Sequence, residues 1–383
     1  MSLRADGQRW YLADEVRTSS YRRAIAEVVK PGDVMLDLGC GTGIFSFYAC
    51  QAGASRVYAI DDNGLVELAA QFARDNAFAD RIIFINGNST MIELPERVDV
   101  VVAEQLGRLG PEAGIFRFFA DAHRRLLKPG GTLIPSRMDI FAAAVEIPEQ
   151  RRAIDFWRDR PAGFDFSAVA QVLLSTGSTA EYNQQNLIGA SALIASVSLA
   201  ADEAAPFSGS MTIIADRAAR LDGVGGWFEA QLAPGVRLTN STLAAIRMRR
   251  PNIFLPLPEP VAVEPGDTIA IHLSIIPEQC MTGWTVTVTD RAGSVKSHTR
   301  ESTLRGLLLP TDEVRKTQSD FKPILSGRDD AYRTMLNLCD GARSIAEIAA
   351  ELTRHYPALF ASAVDAEIFV SSSIAGQGYS PYA

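Results

Sequence analysis

Val34-Met35-Leu36-Asp37-Leu38-Gly39-Cys40-Gly41-Thr42-Gly43, followed by Val57-Tyr58-Ala59-Ile60-Asp61, is the stretch from which the rest of the chain is read. An apolar run with an acid near its end opens into a Gly-X-Gly-X-Gly turn, and a second apolar run also ends in an acid. That pattern outlines a strand, a helix and a parallel strand around a nucleotide site. The missing side chains at the glycines let the backbone turn tightly and approach a ligand, while a helix beginning near Ile44 aims free amides and its positive end at it. Asp61, eighteen positions after Gly43, falls where a carboxylate accepts both hydroxyls of a ribose.

With 383 residues the chain is long enough for two or three domains with cores of their own. A formal net charge of −8 argues against a general nucleic-acid binder and suits a cationic substrate. Cys40, Cys50, Cys280 and Cys339 form no Cys-X-X-Cys pair, and there are four histidines. Neither a disulfide framework nor a metal site is expected. No apolar run reaches the length of a membrane span and the polar N-terminus does not read as a signal peptide, so a cytoplasmic, reducing location is the expectation.

The turn Asp37-Leu38-Gly39-Cys40-Gly41-Thr42-Gly43 resembles motif I of class I S-adenosylmethionine (SAM) methyltransferases. Upstream, Asp14-X-X-Arg17-Thr18-X-X-Tyr21 resembles a segment of the protein arginine methyltransferases in which the arginine pairs with the SAM carboxylate. The resemblance implies that role for Arg17, and a planar guanidinium suits a carboxylate. A strand at 82–85 ends at Gly87-Asn88-Ser89-Thr90, where the family holds the adenine; the family has a glutamate in place of Thr90. The implied cofactor set is Arg17, Asp37, Gly39, Cys40, Gly41, Thr42, Gly43, Asp61, Asp62, Asn88, Ser89, Thr90 and Glu104, with SAM as methyl donor and S-adenosylhomocysteine (SAH) as product.

A fourth strand at 98–103 delivers Glu104-Gln105-Leu106-Gly107-Arg108-Leu109-Gly110-Pro111-Glu112 to the sheet's carboxyl end. This resembles the double-glutamate loop of the arginine methyltransferases and implies Glu104 and Glu112 as the catalytic pair. Two carboxylates hold a guanidinium by charge-assisted hydrogen bonds and aim one nitrogen at the sulfonium methyl. The loop departs from the family: its glutamates are eight apart instead of nine, and Trp-Met-Gly is replaced by Gln105-Leu106-Gly107. The family's Thr-His-Trp loop is replaced by Ser241 to Asn252, which carries Arg247, Arg249 and Arg250. Three readings of these arginines stand: they pair with Glu104 or Glu112, they serve a negatively charged substrate, or they are solvated.

From about Met138 short alternating apolar runs between Gly, Pro and Asp turns argue a β-barrel. Phe156-Trp157-Arg158 and Gly163-Phe164-Asp165-Phe166 resemble the start of the family's dimerisation arm, implying a homodimer. Ala331 to Ala349, with Ser344 and Glu347 as a capping box, resembles peptide-binding winged-helix modules.

The expected organisation is therefore α/β plus β: a Rossmann-like SAM-binding domain at 1–137, a β-barrel substrate domain at 138–310 with an arm at about 156–195, and a linker with a winged-helix-like module at 311–383. The resemblance implies methylation of a protein or peptide arginine. The open alternatives are a SAM-binding regulatory or scaffold protein, and a methyltransferase for another peptide group or a small molecule.

Overall fold

The computed structural model describes residues 5–307 and 322–375. In chain order the first part holds α1 (Ala5–Leu12), α2 (Glu15–Val28), β1 (Val34–Leu38), α3 (Ile44–Ala52), β2 (Arg56–Asp61), α4 (Leu65–Asp75), β3 (Ile82–Asn86), β4 (Val98–Ala103), α5 (Ile115–Arg125) and β5 (Leu127–Ile134). These strands form a parallel sheet in the order β3-β2-β1-β4-β5. Every residue of β1 is buried; a parallel strand covered on both faces reads as a continuous apolar run. The chain reverses direction across the sheet between β1 and β4. Their carboxyl ends diverge there, leaving the crevice where open α/β sheets bind ligands.

Helices cover the sheet because their apolar residues share a face. In α4, Leu65, Val66, Ala69 and Ala73 are buried; in α5, Ile115, Phe116, Phe119, Ala120 and Ala122 are. In α2, Asp14 caps the first turn by accepting a hydrogen bond from Arg17 N at 3.1 Å.

After β5 come β6 (Arg137–Val145), α6 (Pro148–Asp155), α7 (Ser167–Leu174), β7 (Ser178–Ala180), β8 (Ala192–Ser198), β9 (Phe207–Ile214), β10 (Ala219–Ala233), β11 (Val236–Thr239), β12 (Asn252–Val263), β13 (Thr268–Ile276), β14 (Met281–Thr289) and β15 (Val295–Ser302). One antiparallel sheet runs β7-β12-β10-β6-β8, with β11 on β10; the other runs β15-β14-β13-β9. Burial alternates strictly along β14, as a strand with one face inward requires. The two sheets make the barrel-like region expected from the alternating runs. The change of texture near residue 138 is a change of sheet within one compact unit, since one apolar core joins the parallel sheet to the barrel.

The segment expected as an arm packs partly on its own barrel. Ala170, Leu174, Ala180 and Tyr182 join Ile154 and Trp227 in a second apolar cluster, while Phe156, Phe164 and Phe166 remain exposed.

A separate compact unit holds α8 (Gly327–Leu338), α9 (Ile345–His355) and α10 (Ala363–Ala375). Its core is Ala331, Met335, Ile348, Ala349, Leu352, Phe360, Ala366, Phe369 and Val370. The capping box is present: Ser344 N donates to Glu347 at 2.7 Å and Glu347 N donates to Ser344 Oγ at 3.3 Å. The described residues of this unit form three helices, and no strand occurs among them. The linker at 311–320 lies outside the described residues.

Candidate functional site

The glycine turn after β1 is held by its neighbour strand. Gly39 N and Cys40 N both donate to Ile60 O, at 2.8 and 3.0 Å, and Gly41 N donates to Asp61 Oδ2 at 2.8 Å. Gly39 and Gly41 have φ of +71° and +53°. A Cβ at Gly39 would lie 2.8 Å from the Gln105 amide nitrogen, and one at Gly41 3.1 Å from Gln8 Oε1. Side chains there would be strained and would fill the cradle.

Above this turn opens a cavity of about 440 Å³. Gly39, Cys40, Gly41 and Thr42 form its floor, and Asp61 and Asp62 one side. Gly87, Asn88 and Ser89 reach it from β3, and Glu104 and Gln105 from β4. Arg17 enters from α2, and Gln8, Tyr11 and Leu12 of α1 also line it. Arg117 and Phe118 of α5 and Arg250 of the barrel complete the wall.

Arg17 and Glu104 are the buried ion pair of the site. Arg17 Nε donates to Glu104 Oε2 at 2.8 Å, with 8% and 4% of the two side chains exposed. Arg17 Nη1 donates to Tyr11 O at 3.2 Å, and the guanidinium lies 4.9 Å from the Phe45 ring centroid. These contacts leave Nη2 for a ligand, since a guanidinium carries five N–H donors. The other Glu104 oxygen accepts from Arg250 Nη2 at 2.7 Å, and Arg250 Nη1 donates to Leu106 O. Of the three readings of the arginine-rich loop, pairing with Glu104 is the one realised by Arg250.

Glu112 does not reach the cavity, contrary to the expected pairing with Glu104. Its Oε1 accepts from Leu109 N at 2.8 Å and from Arg108 N, locking the 104–112 loop on itself. Its Oε2 is buried without a partner. Within this turn Gly107 N donates to Gly110 O at 2.7 Å, and the Glu112 carboxylate satisfies the amides of Arg108 and Leu109.

Three further expected residues stand apart from the cavity wall. Thr90 faces a neighbouring groove and donates to Asn88 Oδ1 at 2.9 Å. Gly43 begins α3 beneath the floor. Asp37 is fully buried; its Oδ2 accepts from Ser46 N and Oγ at 3.1 and 2.7 Å, and Oδ1 has no partner.

Burial pushes the Asp37 carboxyl up to about 7, against the lowering effect of the Ser46 hydrogen bonds. Its ordinary value is 3.8. Between these values the folded protein holds a proton that the unfolded chain has released, so this contribution to stability is complete below about pH 4 and lost as pH rises through about 7. Asp37→Asn is expected to flatten the fall in melting temperature between pH 4 and 7.5. An unchanged slope would remove Asp37 as its source.

Gln8, Tyr11, Phe45, Gln105, Arg117 and Phe118 were not selected from sequence. Tyr11 lies three residues before the Asp14 to Tyr21 segment, whereas the others carry no local signal of a ligand. They join the site because separate helices and loops converge above one sheet.

A family model described as Ribosomal protein L11 methyltransferase (PrmA) matches residues 18–140. Among curated proteins, the chain is 36% identical over 164 residues to the "Probable protein arginine N-methyltransferase 6" of Arabidopsis thaliana, covering 42% of this chain and 38% of that protein. It is 39% identical over 162 residues to "Protein arginine N-methyltransferase 1" of Schizosaccharomyces pombe, covering 41% of this chain and 47% of that one. The match thus spans less than half the length of each relative. Among solved structures, the "Trypanosoma brucei PRMT1 enzyme-prozyme heterotetrameric complex with AdoHcy" is similar with a TM-score of 0.68 and 21% identity, over 77% of this chain and 96% of that one. Arabidopsis thaliana Protein Arginine Methyltransferase 10 gives a TM-score of 0.67 and 22% identity, over 78% and 97%. The fold is that of a class I methyltransferase sheet joined to an antiparallel barrel-like region.

Proposed function

We propose that the chain is a SAM-dependent methyltransferase whose acceptor is an arginine guanidinium of a protein or peptide. The observation carrying this reading is a single cavity with the glycine cradle and Asp61 at one end and the Arg17–Glu104 pair at the other. The names of its relatives support the same chemistry.

The residues present fit SAM. The glycine floor is open where Cβ atoms would fill it, Asp61 can accept from ribose hydroxyls, and Arg17 Nη2 remains for a carboxylate. Bound SAM supplies an electrophilic sulfonium methyl. Glu104 would hold the acceptor by charge-assisted hydrogen bonds and favour positive charge on it, with Arg17 fixing the carboxylate's rotamer. Since Glu112 is spent on its own loop, Glu104 carries that role without the expected partner. Calorimetry with SAM and SAH, and transfer of labelled methyl from SAM into arginine peptides, test this reading. SAH binding with no label in any arginine peptide would overturn the acceptor assignment.

One observation favours a second reading. Both oxygens of Glu104 are already held by arginines of this chain, which suits a SAM-binding regulatory protein or an acceptor other than arginine. Labelling of a peptide with no arginine, or SAH binding without transfer to any acceptor pool, would decide for it.

We also propose a homodimer, with the C-terminal three-helix unit docking peptide. The exposed Phe156, Phe164 and Phe166 supply an apolar surface on the α6–α7 segment, and Leu68 and Phe72 supply one on α4. A Phe164→Asp/Phe166→Asp variant is expected to run as a monomer by light scattering at concentrations where the parent is a dimer; a dimeric variant would sink the assignment.

A further inference from the structure

The loop that ends at Arg250 is pinned on both sides by buried polar groups. Asn240 Nδ2 donates to Arg108 O at 2.7 Å and to Pro251 O at 3.1 Å, while its Oδ1 accepts from Phe228 N at 3.0 Å. Asn252 Nδ2 donates to Asn240 O at 2.7 Å, and Thr242 Oγ1 donates to Asn252 Oδ1 at 2.7 Å. Asn240 and Asn252 are both fully buried. Next to Arg250, Arg249 N donates to Asp14 Oδ2 at 2.6 Å, which ties the loop to the start of α2. Satisfied buried networks of this kind hold one backbone arrangement. The Arg250 guanidinium is therefore presented to the cavity from a fixed base, and only its side chain is left to move.

That side chain bridges Glu104 Oε1 and Leu106 O. With Arg17 on Oε2, one carboxylate of 4% exposure faces two guanidinium groups. A third cation entering alongside them would meet net positive charge in a poorly solvated place, where like charges repel strongly. Loss of Arg250 from Glu104 would instead leave a one-to-one pair with Arg17 and a free acceptor oxygen. The hydrogen bonds that Arg250 makes are those a foreign guanidinium would make, because the chemical group is the same.

We propose that Arg250 is a resident guanidinium occupying the acceptor subsite of Glu104, so that a cationic acceptor enters only by exchange with it. This rests on the reading of Glu104 as the acceptor-binding carboxylate. Arg250 then sets both affinity and selectivity. The tethered side chain competes at the high effective concentration of an intramolecular group. A ligand that binds only the displaced state has its affinity reduced by the fraction of protein in that state. An uncharged analogue, which gains little from the carboxylate, is largely indifferent to the exchange.

The test is calorimetry on the full chain loaded with SAH, using acetyl-Gly-Gly-Arg-Gly-Gly-amide and its citrulline counterpart. Arg250→Ala is expected to bind the arginine peptide at least about tenfold tighter than the parent, the gain from removing an occupant that leaves a minor fraction of sites open. The citrulline peptide is expected to change by less than about twofold on the same reasoning. Arg250→Gln, which keeps a donor and much of the side-chain volume, is measured in parallel. It stands in if Arg250→Ala does not melt cooperatively, with the same direction expected. Arginine-peptide binding that is unchanged or weaker in the variants, where the parent binds, overturns the resident-guanidinium proposal and leaves the arginine-acceptor reading in place. Equal tightening for both peptides overturns it too, since opened space rather than charge exchange would be the cause. If parent and variants all bind SAH and none binds the arginine peptide, the acceptor reading itself fails, and this inference with it.

Discussion

A Glu104→Gln variant is expected to lower kcat for methyl transfer by about a hundredfold to a thousandfold, the scale of removing one charge-stabilising group aimed at a reacting centre. The charge is the critical property, because the proposed acceptor is a cation and Gln offers one neutral oxygen where the carboxylate offers two charged ones. Glu104 also neutralises Arg17 and Arg250 in a site where its own side chain is 4% exposed. Removing one partner of a buried ion pair costs about 3–5 kcal/mol where the remaining charge has no other contact. Arg17 retains Tyr11 O and Arg250 retains Leu106 O, so the loss should fall at or below the low end of that range. Circular-dichroism melting reads the stability loss and single-turnover transfer reads the chemistry. A well-folded variant with parental turnover would remove Glu104 from the reacting centre.

Asp61→Ala is expected to weaken SAH binding by about tenfold to a hundredfold, the equivalent of one charge-assisted hydrogen bond of about 1.5–3 kcal/mol. Three effects add. The ribose loses its acceptor, Gly41 N loses the 2.8 Å bond that holds the glycine turn in shape, and Asn63 loses the Oδ1 acceptor of its backbone N and Nδ2. Asp61→Asn separates them, since an amide oxygen can still accept from Gly41 N while charge is lost. Burial pushes the Asp61 carboxyl above its ordinary range. SAH affinity should therefore begin to fall at a higher pH on acidification than an exposed aspartate would dictate, and Asp61→Asn should lack that acid limb. Calorimetry across mildly acidic pH measures both, and an Asp61→Ala variant with parental affinity would place the ribose elsewhere.

The cavity has one end that is readable by eye and one that is not. Gly39, Gly41 and Asp61 act through backbone shape and strand ends, which are properties of neighbouring residues in the chain. The α5 residues Arg117 and Phe118 and the α1 residue Gln8 belong to helices whose spacing reveals an apolar face but not what the opposite face touches. Glu112 shows the limit most clearly. Its position after Glu104 invites a paired-carboxylate reading, yet the unpaired amides of Arg108 and Leu109 claim it first. A shorter loop with an inward turn creates a local demand for an acceptor, and that demand is met before any long-range role.

The C-terminal unit divides in the same way. The Ser344–Glu347 capping box was legible because it depends on residues three apart, and it is present. A wing would rest on non-local strand pairing, which local spacing does not reveal, and the described residues of this unit form helices.

Sequence alone determined the strand–turn–helix–strand unit around Gly39 to Asp61, the strands at 82–85 and 98–103 and the barrel's alternating runs, because each follows from near neighbours and a period of two or 3.6 residues. Only the tertiary structure decided the Glu104 end of the cavity. Arg250 and Glu104 are separated by 146 positions, and nothing local to either names the other. Their meeting depends on a barrel loop pinned by Asn240, Asn252 and Asp14, a network assembled from contacts that exist once the sheets have packed together. The same packing makes the glycine turn one end of a cavity whose other end already holds a guanidinium.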